Sequence, residues 1–315
     1  MKNLVKINNI LITFVVMFLI TSCNNDAIYN DEHYKIQVYL LSGAENVYTA
    51  SYTLNEIDPI RWVTVGCGGS NTNDKEIVVT LEPNPEMLDR FNSMNYDYVE
   101  HYAQLLHPSR YEIESYDVTL PARSDYHYAR MPVKVFPLGL SPDSTYFIPL
   151  KIRSVSNYEV NEDKLDLLYR VVIENDYAKQ VPPTMYSQAG QMVETTTTIL
   201  TGNKRVHPLE SDKVRMFIGN ETYSDNTTVA QINRLSVVVQ ILPDNTLLVT
   251  PYSDDVMEVE MLDDVPNYNR YDPAFMQGST KQRVLFLNYR FRNNTNGTWS
   301  AWRTVEERLM RVEDN

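Results

Sequence analysis

The chain has 315 residues, 43% of them hydrophobic, with 41 acidic against 28 basic side chains and a formal net charge of −13. That balance argues against nucleic acid as a partner and against adsorption to anionic lipid headgroups. With only two cysteines, Cys23 and Cys67, the fold must draw its stability from an apolar core rather than a disulfide framework, which a chain of this length can supply.

The N-terminus reads as an export segment. Lys2 and Lys6 precede an apolar run, residues 10–20, broken only by Thr13. That run is short of the roughly 20 apolar residues that span a bilayer. It ends in Leu19-Ile20-Thr21-Ser22-Cys23, the pattern of a bacterial lipobox. Residues 1–22 are therefore expected to be a lipoprotein signal peptide, and Cys23 the residue that carries the lipid. Cleavage would leave 26 basic and 41 acidic residues, a net charge of −15. Residues 23–33 then form a polar, lipidated tether that contacts the membrane through its anchor only. With Cys23 acylated, Cys67 has no partner. Its setting, Gly66-Cys67-Gly68-Gly69, reads as a loop, and nothing nearby would lower the thiol pKa, so a bland small residue is favoured over a catalytic thiol.

Twenty-two tyrosines and short Val- and Thr-rich segments between turn residues predict a mainly all-β protein of two domains. In the first domain, residues 34–178, strands are expected at 35–41, 47–54, 76–82, 111–120, 131–136, 145–153 and 167–175. Tyr146, Ile148, Leu150 and Ile152 alternate and should share one face. Seven short strands fit an immunoglobulin-like β-sandwich. Asn84-Pro85 opens a helix with Met87, Leu88 and Phe91 at helical spacing. A second helix is expected over 98–106, with Val99, Tyr102 and Leu106 on one face and Pro108 as its stop. Such helices are expected to plug one end of the core.

Several phrases in this domain carry a resemblance. Ile77-Val78-Val79-Thr80-Leu81, Pro85-Glu86-Met87-Leu88-Asp89-Arg90-Phe91-Asn92, Pro108-Ser109-Arg110-Tyr111-Glu112-Ile113 and Tyr146-Phe147-Ile148-Pro149-Leu150-Lys151-Ile152 are similar to a Bacteroidetes domain of unknown function. That domain stands at the front of surface lipoproteins of polysaccharide-utilisation loci and ahead of family-18 endo-glycosidase modules acting on N-glycans. The resemblance implies a glycan or oligosaccharide as ligand, and a neighbouring glycan transporter and endo-glycosidase as partners. The acidic Asn30-Asp31-Glu32 is similar to the export signal of surface-exposed Bacteroidetes lipoproteins, though it starts late.

Val181-Pro182-Pro183 marks a linker. The second domain, residues 184–315, has expected strands at 214–219, 235–242, 246–251, 256–262, 283–291 and 298–309. Pro243-Asp244-Asn245 joins two of them as a hairpin. Leu285-Phe286-Leu287-Asn288-Tyr289-Arg290-Phe291 and Trp302-Arg303-Thr304-Val305-Glu306-Glu307-Arg308-Leu309 resemble the C-terminal module that accompanies the front domain. An antiparallel sandwich or barrel-like fold is expected.

The side chains that bear chemistry favour binding over catalysis. Glu258 and Glu260 sit two apart, as two carboxylates of a retaining glycosidase would on one strand face. No full family-18 motif accompanies them, so the cluster that includes Asp254-Asp255 and Asp263-Asp264 reads as a solvated face, with calcium ligation or catalysis as alternatives. Asp125-x-His127 could offer two metal ligands, but His33, His101, His107 and His207 are scattered and supply no third. No phosphate loop, nucleophile elbow or HExxH is present, and no cofactor is expected. Sugar capture needs exposed aromatic faces beside amides and carboxylates. The favoured candidate is Asn267-Tyr268-Asn269-Arg270-Tyr271; Tyr126 and Tyr128, and Trp299, with Trp62 and Trp302, are further candidates. Each has a plainer reading as packing. Asp143-Ser144-Thr145 fits a short O-glycosylation pattern of exported Bacteroidetes proteins. The expected function is non-catalytic glycan binding at the outer membrane surface, and the alternative is a structural or adhesive, fimbrial-type envelope lipoprotein.

Overall fold

A computed structural model describes residues 34–57, 59–224 and 226–312. The signal peptide, Cys23, the tether and His33 lie outside the described residues.

The first domain is a sandwich of two sheets. One is five-stranded, in the order Glu159–Val160, Gln37–Leu40, Ile60–Gly68, Tyr128–Val135, Tyr111–Glu112. The other runs Val47–Thr53, Asp166–Glu174, Tyr146–Val155, Ile77–Pro83, Asp117–Leu120, with Gln104–Leu105 added beside Tyr146–Val155. Alternation places Val38, Leu40, Val63, Val65, Met131 and Val133 of the first sheet against Ile148, Leu150, Leu167, Tyr169 and Val171 of the second. Polar groups inside this core are paired: the Tyr52 hydroxyl donates to the Val133 carbonyl at 3.1 Å and meets the Tyr169 hydroxyl at 2.8 Å, tying the sheets together.

The two outer faces of the sandwich differ. The helix Pro85–Asn95 lies across the outside of the six-stranded sheet, where Met87 and Leu88 pack with Phe147 and Leu168, and Phe91 meets Phe147 at 5.2 Å. It covers a face rather than plugging an end, because Phe147 and Leu168 point away from the sandwich core and need their own apolar cover. The helix expected over 98–106 is a single 3-10 turn, Val99–His101, followed by the short strand Gln104–Leu105. The Gly66–Gly69 loop is also corrected. Ile60–Gly68 is a strand, and Cys67 is buried in the core, where burial pushes its thiol pKa up.

The second domain is one curled antiparallel sheet. Its order is Leu247–Pro251, Ser236–Ile241, Lys213–Phe217, Thr197–Glu210, Thr184–Val193, Arg303–Val312, Thr280–Thr295, with Met257–Met261 and Arg270–Gln277 both on Thr280–Thr295. The ends approach each other: Leu247 N donates to the Asn269 carbonyl at 2.9 Å and Tyr271 N to the Asn245 carbonyl at 2.7 Å. The sheet thus closes into a barrel. Three of its strands were absent from the sequence expectation: Thr184–Val193, Thr197–Glu210 and Arg270–Gln277. At Gly190 a Cβ would stand 2.2 Å from the Glu306 carbonyl oxygen, so only glycine lets the neighbouring backbone come this close.

The domains are joined tightly. The stretch Tyr177-Ala178 is packed into the barrel core, and Gln180 Nε2 donates back to the Pro142 and Ser144 carbonyls of the sandwich. Asp143 reaches across to the fully buried Arg215 in a two-pronged ion pair of 2.6 and 2.5 Å. Burial alone would raise the Asp143 carboxyl, but the hydrogen bonds and charge of Arg215 hold it below its ordinary value.

Candidate functional site

The loop favoured from the sequence is a closing element of the barrel. Asn267 and Asn269 adopt left-handed φ values of 65° and 53°, which asparagine tolerates, and so turn the chain back on itself. The Asn269 amide donates to the Leu262 carbonyl at 2.7 Å and accepts from Asn288 N at 2.9 Å, so it is spent on the fold. Tyr271 is only 7% exposed and packs edge-on against Tyr177 at 5.3 Å; it is a core residue and offers no stacking face. Tyr268 is half-buried, edge-on to Phe286 at 5.7 Å, and Glu306 lies near enough its hydroxyl to help raise its pKa, after burial. Asn267 is exposed and alone among the four faces solvent freely.

Trp299 is also covered. Arg292 lies over its ring at 5.1 Å, and Trp302 has Arg290 and Arg292 over its ring at 4.6 and 4.7 Å. Those arginines in turn hold Glu260 and Glu258. The two carboxylates are thus partners in surface ion pairs that clamp a tryptophan. Among the described residues no group of three or more His, Cys, Asp or Glu is placed to hold a metal ion.

Tyr126 and Tyr128 differ in exposure, at 66% and 40%, with rings 5.8 Å apart; Arg130 covers one face of Tyr128 at 5.1 Å, as Arg292 does that of Trp299, and leaves the other open. The two tyrosines stand at the outer face of the five-stranded sheet, which no helix among the described residues covers. Strand register sets Tyr39, Gly66 and Tyr128 in one row, and Trp62 beside Pro132 in another. Trp62 is 41% exposed, and Ile60 and Leu41 are exposed on the same face. Gly66 matters because a Cβ there would stand 2.6 Å from the Tyr39 ring; without one, that ring lies flat against the strand. Pro132 is tolerated because its strand has a partner on one side only at that point.

The result is a broad, shallow face with three aromatic rings on rigid strands, and a fourth, Tyr126, at its end. Sequence reasoning missed Tyr39 and left Trp62 unplaced. The signal was present in the alternation Trp62-x-Thr64-x-Gly66, hidden by the glycines that follow. Among the described residues no helix is long and apolar enough to cross a membrane, which says nothing of spanning by strands.

Two family models, one for an N-terminal domain and one for its C-terminal counterpart, match residues 29–159 and 166–310. The second match begins with Asp166–Glu174, a strand that completes the sandwich. No functionally curated protein matches the chain. Several solved structures share the fold. A Bacteroides ovatus protein of unknown function is 14% identical, with 88% of this chain and 94% of that one covered and a TM-score of 0.68. A multidomain Bacteroides ovatus protein including DUF1735 is 14% identical over 87% and 94%, with a TM-score of 0.63. An auxiliary nutrient binding protein of Bacteroides thetaiotaomicron is 12% identical over 86% and 92%, with a TM-score of 0.59. At these identities the likeness is one of fold. The chain belongs to the Bacteroidetes family in which this N-terminal β-sandwich domain, one of unknown function, is paired with this C-terminal β domain.

Proposed function

We propose that the protein is a non-catalytic, lipid-anchored lipoprotein of the outer membrane surface that captures glycans for a polysaccharide-utilisation system. The observation that carries this reading is the aromatic sheet face: Tyr39, Trp62 and Tyr128 on adjacent strands, with Arg130 beside them. A flat aromatic face suits the C–H surface of a sugar chain, and Arg130 can donate to its hydroxyls. The relative called an auxiliary nutrient binding protein supports a role in nutrient uptake. Tethering by Cys23 would hold the face at high local concentration beside a transporter and an endo-glycosidase.

Titration calorimetry with soluble oligosaccharides tests the face. Trp62→Ala or Tyr128→Ala should weaken binding by roughly tenfold, the loss of one aromatic anchor. Binding unchanged in both variants would refute the assignment, and self-polymerisation without glycan binding would favour the fimbrial reading. The tether has its own test. Cells fed labelled palmitate should label the wild type and not Cys23→Ala, and a soluble wild type would end the anchor proposal.

A further inference from the structure

A second feature lies on the barrel, away from the sheet face. A small pocket opens over the strands Thr197–Glu210 and Lys213–Phe217, walled by Met185, Arg205, His207, Phe217, Thr222 and Tyr223. His207 is 3% exposed, yet its Nε2 has no protein hydrogen-bond partner, and neither has the buried Nε of Arg205. Both groups pack on one ring: Arg205 lies over Tyr223 at 4.8 Å and the His207 ring is 4.6 Å from it. Tyr223 also neighbours Asp143, which Arg215 grips.

The protonation pattern narrows the ligand. Asp143 Oδ1 lies 3.9 Å from His207 Nδ1, which favours the proton on that nitrogen and leaves Nε2 with a lone pair. The pocket is therefore lined by one residue with an unpaired buried donor, Arg205 Nε–H, and one with an unpaired buried acceptor, His207 Nε2. A carboxylate or sulfate has only acceptors and would confront the lone pair; an ammonium would confront Arg205. A hydroxyl satisfies both. Exposed Glu221 at the rim further disfavours an anion, while Met185 and Phe217 give apolar surface for ring C–H groups. We propose that this pocket binds one pyranose unit of a neutral glycan, a hydroxyl accepting from Arg205 and donating to His207. The proposal rests on the glycan reading above and adds a second contact point to it, on the barrel.

The test uses the chain from Asn24 onward with 15N-labelled histidine, followed by NMR as methyl glycosides of glucose, mannose and galactose are added. His207→Gln identifies the His207 signals among the five histidines. At least one glycoside should shift the His207 side-chain resonances. Arg205→Gln should weaken that response about tenfold, as the loss of one charged hydrogen bond implies. Trp62→Ala should leave it unchanged, so failure of the sheet face and failure of the pocket are read separately. The proposal is overturned if no glycoside moves His207, or if only glucuronate and acetate do, which would make the pocket an anion site.

Discussion

His207 shows how one buried side chain couples the domains to pH. Burial, and then the positive charge of Arg215, push its pKa from the ordinary imidazole value of 6.5 down to about 3, against the opposing pull of Asp143. Arg205 and Tyr223 also face it. A base whose pKa is lowered on folding is neutral in the native state and takes up a proton on unfolding. Stability is therefore lost as pH falls from about 6.5 towards about 3, with a slope near 1.4 kcal/mol per pH unit from this group. Denaturant titrations at pH 7 and pH 5 should show a loss of roughly 2 kcal/mol that His207→Gln lacks. Equal losses in both proteins would show that His207 titrates normally. A second buried group, in the barrel interior, is fully paired. Glu307, with no exposure, accepts from Lys204 at 2.8 Å, Gln188 at 2.6 Å and Tyr289 at 3.3 Å.

At the scale of elements, those same residues explain what the sequence hid. Thr184–Val193 and Thr197–Glu210 turn Gln188 and Lys204 towards the barrel interior, so their inward positions are not consistently apolar and the period-two signal fails. Arg270–Gln277 was concealed by Pro273 and by the bulge between Asp272 and Phe275. The sandwich was far more legible, since Ile148, Leu150 and Ile152 alternate cleanly into the core. Site residues fared worse, because exposure depends on what crosses a face. Tyr271 and Tyr128 look alike in sequence. The first lies under Tyr177 in the core and the second on a sheet that none of the described helices covers. Which sheet received the helix could be read only once Phe147 and Leu168 were known to point outwards.

At the scale of the molecule, the ion pair of Asp143 with Arg215 and the clamp of Gln180 on residues 142–144 make the two domains one unit. Asp143 is thereby the partner of an arginine with no exposure, and Ser144 beside it is half-buried at the junction. Asp143→Ala would leave that guanidinium buried without its counter-charge. It should cost about 3 kcal/mol and split a single unfolding transition into two, as followed by calorimetric melting. One unshifted transition would show that the domains are held by other contacts. The central claim is that the sheet face of the sandwich, and not the barrel loop, takes the glycan. A glycan-array screen of the chain from Asn24 onward, run beside Trp62→Ala and Tyr268→Ala, tests it most directly. Tyr268→Ala should keep the glycan signal and Trp62→Ala should lose it. A signal lost on Tyr268→Ala and kept on Trp62→Ala would contradict it.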